Sequence, residues 1–95
     1  MSDESKGPDD EALPRVDFST FILSLSHSAL MHLGDAPDPE TGGTKKHLPL
    51  ARQTIDLLVM LEEKTRGNLS GEEERLIAQI LFDLRMRYVE QSKTK

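Results

Sequence analysis

Three histidines, His27, His32 and His47, are the nitrogen ligands this 95-residue sequence could offer a metal, and no cysteine accompanies them. His27 and His32 stand five residues apart. On a helix that spacing turns them to different faces, whereas a helical zinc pair needs i and i+4. Asp35, Asp38 and Glu40 gather acids between prolines and glycines. Their spacing is not the Asp-x-Asp-x-Asp-Gly run closed by Glu that calcium loops use, so they read as a solvated loop. Gly67-Asn68-Leu69-Ser70-Gly71 could cradle a phosphate at a helix N-terminus. It lacks the Lys-Ser/Thr of a P-loop, no strand precedes it, and Glu72, Glu73 and Glu74 would repel an anion. No nucleophile–base pair, no Gly-x-Ser-x-Gly elbow and no carboxylate pair in an evident cleft is present. The sequence thus predicts no catalytic residue, no cofactor site and no metal site, and leans away from an enzyme.

The elements carrying these residues are helical. Gly67 suits the left-handed end of a helix, and Lys64 and Arg66 precede it where cations meet the negative end of the helix dipole. Ser70 and Glu73 form a capping box for the next helix. A stop and a start this close force an antiparallel hairpin, predicted as helices over 48–66 and 71–91, with 92–95 a frayed end. Pro49 fits the first turn of the earlier helix. Asp17 can cap a further helix over 18–33, stopped by Gly34. The expected fold is therefore an all-α, small three-helix domain over 17–91, built on a tight antiparallel helical hairpin, behind a disordered acidic tail over 1–16.

Most hydrophobic residues fall in 18–33, 48–61 and 69–89. In 71–91, Ile77, Leu81, Leu84 and Tyr88 make one seam. Leu76 and Ile80 extend it on one side, and Ala78, Phe82 and Val89 on the other, over an arc of about 240°. A helix in a simple hairpin needs only about 100° of apolar face. In 18–33, Phe18, Ile22, Leu25, Ala29 and Leu33 form the main stripe, flanked by Phe21, with Leu23 and Leu30 on a second seam. Between Asp17 and Asp35 there is no charged residue, only hydroxyls and two histidines on the remaining faces. Such a helix is expected to be covered on more than one side. Met31, Met60 and Met86 read as fillers of core gaps.

Charge excludes some classes. The net charge is −5, and residues 1–17 hold six acids against two bases, while 48–95 are balanced. That distribution argues against nucleic-acid binding. The uncharged run in the first helix is at the short limit for crossing a bilayer and is rich in serine, so no membrane span is expected. The acidic start Met1-Ser2-Asp3-Glu4-Ser5 does not read as a secretory signal, and with zero cysteines the expected location is cytoplasmic.

Two charges break apolar arcs. In a hairpin turning at 67–70, Glu62 stands level with Arg75, and Arg85 with Arg52. Glu62 is expected to pair with Arg75. Arg85 is expected to reach Asp56, or a carboxylate on a second chain, or to extend along its own stem into solvent.

The run Phe21-Ile22-Leu23-Ser24-Leu25-Ser26-His27-Ser28-Ala29-Leu30-Met31-His32-Leu33-Gly34 resembles the first block of a family. Leu50-Ala51-Arg52-Gln53-Thr54-Ile55-Asp56-Leu57-Leu58, Glu63-Lys64-Thr65-Arg66-Gly67-Asn68-Leu69 and Leu84-Arg85-Met86-Arg87-Tyr88-Val89 continue it. Over about 18–90 the sequence is similar to the short bacterial proteins grouped as domain of unknown function 1844. That resemblance implies a bacterial origin; it brings no activity and no catalytic residue.

The functional expectation rests on the surplus apolar arc. It is a non-enzymatic protein–protein interaction or oligomerisation module, partnered by itself as a homodimer or by another protein. The candidate surface is Phe18, Phe21, Leu23, Leu30, Phe82, Arg85 and Val89. The alternative is a small-ligand or regulatory binding protein with a pocket between the first helix and the hairpin, near His32 and Tyr88.

Overall fold

The computed structural model describes residues 16–93. It contains three helices, α1 (Phe18–Leu33), α2 (Leu48–Lys64) and α3 (Gly71–Lys93), each packed against the other two. The acidic tail expected over 1–16 lies, apart from Val16, outside the described residues, as do 94–95. No helix among the described residues is long and apolar enough to cross a membrane.

The helix ends follow from local chemistry. Asp17 accepts the Thr20 backbone N–H at 2.8 Å, and that bond, with the Thr20 side chain, holds its carboxyl below the usual carboxylate range. Gly34, at φ +84°, closes α1. Its N–H goes to the Met31 carbonyl at 3.0 Å, and the Asp35 N–H reaches Leu30 at 2.9 Å, which together form a Schellman end. The capping box is present in both directions. Ser70 N–H donates to Glu73 Oε1 at 2.8 Å, and Glu73 N–H donates to Ser70 Oγ at 3.2 Å.

α2 ends at Lys64, two residues before the expected Arg66. Thr65 Oγ1 and Thr65 N–H both donate to the Leu61 carbonyl, so the chain loosens there into the turn that Gly67 completes at φ +88°. α3 continues to Lys93, past the expected 91, and Ser92 Oγ bonds back to the Tyr88 carbonyl at 2.6 Å. The expected fray at Ser92 and Lys93 is therefore ordered helix.

The core is formed by Ile22, Ala29 and Leu33 of α1, Ala51, Ile55 and Leu58 of α2, and Ile77, Ile80, Leu81 and Leu84 of α3. Phe18, Leu25, Leu30 and Tyr88 pack half-buried at its edge. The one buried polar residue among those described, Thr54, returns its hydroxyl to the Leu50 carbonyl at 3.0 Å.

The loop 34–47 is tied to the helix ends. Asp35 accepts from Arg87 Nη1 at 3.1 Å and from Gln91 Nε2 at 2.6 Å, joining the end of α1 to the last turns of α3. Lys46 Nζ donates to the Gln91 carbonyl at 3.0 Å, and His47 N–H to the His32 carbonyl at 2.7 Å. The expected i to i+4 pair of Asp83 with Arg87 is present at 2.9 Å. With carboxylates on both sides, the Arg87 guanidinium is held still more firmly protonated.

Candidate interaction surface

Helical geometry sets which side chains the fold leaves outside. The buried residues of α3 occupy one side of the helix. Ala78, Phe82, Met86 and Val89 lie within about 80° of one another on the side turned away from them. Phe82 is 68% exposed, Met86 57% and Val89 52%. The broad arc read from the sequence is thus two faces, one buried in the chain and one open.

α1 divides in the same way. Ile22, Ala29 and Leu33 point inward, whereas Thr20, Leu23, Ser24 and His27 are exposed. The expectation of cover on more than one side is not met within the chain. Its main stripe satisfies the core, Leu30 and Ser26 are half-covered, and the charge-free side that bears Leu23 and His27 faces outward. Leu23 is 50% exposed and Phe21 47%.

The seven residues singled out from the sequence therefore separate. Phe18 and Leu30 are half-buried against the core, while Phe21, Leu23, Phe82, Arg85 and Val89 are exposed. Phe82, Arg85 and Val89 share the open side of α3. Met86 was missed because methionine reads as core filler; Met60 is exposed as well. The available signal was spacing, since Met86 follows Phe82 by four residues on the same stripe. The outer side of α2 adds Leu50 and Leu57, also exposed.

The two charged intruders fare differently. Glu62 and Arg75 form no ion pair among the described residues. Arg75 is exposed, because it precedes the inward Ile77 by two residues and so lies about 200° around the helix from it. Arg85 is exposed and makes no ion pair among the described residues; it lines an open depression with Arg52, Ile55, Asp56 and Tyr88. Arg85 thus shares a depression with Arg52, and its side chain turns to solvent, the third of the expected outcomes.

Among the described residues, His32 and Tyr88, the neighbourhood expected to hold a ligand pocket, line separate depressions. Tyr88 lines the depression just described, of about 210 Å³. His32 lines a different one, of about 210 Å³, with Met31, Asp38, Lys45, His47 and Leu50. Both are smaller than ordinary small-molecule sites, which begin near ~300 Å³. The polar candidates have structural work. His47 Nδ1 caps α2 by accepting the Leu50 N–H at 3.3 Å, Asp38 Oδ1 accepts the Glu40 N–H in a local turn, and Asp35 ties α1 to α3.

These features define a small all-α domain of three helices whose candidate site is an open apolar helix face. A family model described as Domain of unknown function (DUF1844) matches residues 15–90, most of the chain, and the chain belongs to that family. No curated protein and no solved structure matches it.

Proposed function

We propose that this chain is a non-enzymatic protein–protein interaction or oligomerisation module of the bacterial cytoplasm. The observation that carries the reading is the contiguous open stripe of Phe82, Met86 and Val89 on α3. Single exposed hydrophobics are ordinary on a folded surface, but several large ones aligned on one helix face mark a surface meant to be covered. The charge-free outer side of α1 supports the same reading, since small hydroxyl side chains allow close approach of another helix. The absence of cysteine agrees with a reducing compartment.

The test is affinity purification of the full chain from its host, read with light scattering on the purified protein. The expected result is a solution mass above that of one chain, or a stoichiometric partner, lost in Phe82→Glu while helicity is retained. A monomer that captures no protein refutes the proposal.

A further inference from the structure

We infer that the open face of α3 closes on the same face of a second copy, antiparallel, about a two-fold axis at Phe82. The inference rests on the interaction reading above and names its partner. Phe82 is the most exposed of the large side chains on that face, and it stands at the middle of α3, eleven residues from each end. A two-fold axis there sets Phe82 against Phe82 of the second copy. It also sets the small Ala78 level with the long Met86 across the seam.

The charges agree with that direction and register. Arg75, Glu72, Glu90 and Lys93 are exposed, and none makes an ion pair among the described residues. Within one helix, Arg75 and Glu90 are about 22 Å apart by the helical rise, and Glu72 and Lys93 about 32 Å. They cannot meet in their own chain. In the antiparallel pair Arg75 comes within one residue of level with Glu90 of the second copy, and Glu72 with Lys93. Arg75 and Lys93 lie about 20°, and Glu72 and Glu90 about 80°, to the same side of the line through Phe82, and a two-fold axis brings like sides into contact. A parallel pair would instead set Arg75 beside Arg75 and Glu90 beside Glu90. Antiparallel packing also opposes the helix dipoles.

The seam is one helix long, about 34 Å. It buries on the order of 800–1,000 Å² in total, the low end for specific interfaces. The dissociation constant is accordingly expected near ~1–10 μM.

The absence of native cysteine makes the geometry directly testable on the full chain. Under mild oxidation, Phe82→Cys links to itself. Ala78→Cys and Met86→Cys link to each other when mixed, and neither links to itself. Sedimentation from about 0.5 to 200 μM shows a monomer–dimer equilibrium that Phe82→Glu weakens by about a hundredfold. Arg75→Glu and Glu90→Arg each weaken it about fivefold and restore it when combined. All of these positions are exposed, and circular dichroism checks that each variant is folded. Self-linking at all three cysteine positions means a parallel pair and overturns the inference. So does a dimer that links only through Leu23→Cys, although the oligomerisation reading then stands. A monomer that binds a different protein through Phe82 overturns the second copy as occupant and keeps the interaction reading; a monomer that binds nothing removes both.

Discussion

Phe82 and Leu84 are two residues apart on one helix, and the structure assigns them opposite jobs. Leu84 is fully buried and Phe82 is 68% exposed. Leu84→Ala removes a whole core side chain and leaves a cavity, so it is expected to cost about 2–5 kcal/mol. Phe82→Ala forfeits only about a third of the roughly 2–3 kcal/mol that full burial brings, and the better helix propensity of alanine returns about 0.5 kcal/mol. The net cost in the isolated chain is below about 0.5 kcal/mol. A domain this small has on the order of 3–5 kcal/mol in all, so Leu84→Ala removes much or all of it while Phe82→Ala does not. The assay is urea unfolding followed by circular dichroism at about 0.5 μM, below the concentration at which a micromolar dimer assembles. With a slope near 1 kcal/mol per molar urea, the midpoints should fall by about 2 M or more and by less than about 0.5 M, respectively. Should Phe82→Ala shift the midpoint as far as Leu84→Ala does, Phe82 is core in solution, and the open face with everything built on it is refuted.

Three further outcomes are expected. Gly67→Ala should cost about 1 kcal/mol in the same unfolding assay, because the backbone there is left-handed; an added Cβ would meet nothing within 4 Å, so the cost is conformational alone. A double-mutant cycle of Asp35→Ala with Arg87→Ala should give a coupling of about 0.5–1 kcal/mol that shrinks in ~1 M salt, and no coupling would mean the tie between α1 and α3 is not held in solution. The Asp17 carboxyl is held below its unfolded value, so its contribution is fully present above an ordinary aspartate pKa near ~3.9 and lost as pH falls through the lower folded value. Asp17→Asn keeps the cap and removes that dependence, so its stability should vary less with pH across this acid range than that of the parent chain.

What the sequence displays is what short-range rules govern. Asp17, Gly34 and the Ser70–Glu73 box each act within a few residues, and each forms the cap its chemistry suggests; Gly67 takes the left-handed backbone expected of it but stands in the turn beyond the Thr65 end of α2. That Arg52 and Arg85 come near one another was also legible, because a tight hairpin sets which positions stand side by side. Rotation about each helix axis was not. The expected Glu62–Arg75 pair failed because Ile77, Ile80, Leu81 and Leu84 claim the inward side of α3 and turn Arg75 out. The Asp35–Arg87–Gln91 tie joins residues more than fifty positions apart through a loop of no regular structure, and no local pattern encodes it. The capping role of His47 was hidden because histidine is an uncommon cap. For the candidate surface, spacing placed Phe82 and Val89 on one stripe of α3. Which part of the apolar arc stays open depends on where α1 and α2 lie.

The uncharged outer side of α1 has a consequence during synthesis. α1 leaves the ribosome first, while the hairpin that covers its inner stripe is complete only after residue 93. At roughly 5–20 residues per second, that interval is about 3–12 s. For those seconds a helix with no charge between Asp17 and Asp35 waits with both its stripes uncovered. The six acids made just ahead of it are then the charges nearest to it in sequence, where gatekeeper residues beside an apolar segment oppose association of nascent chains.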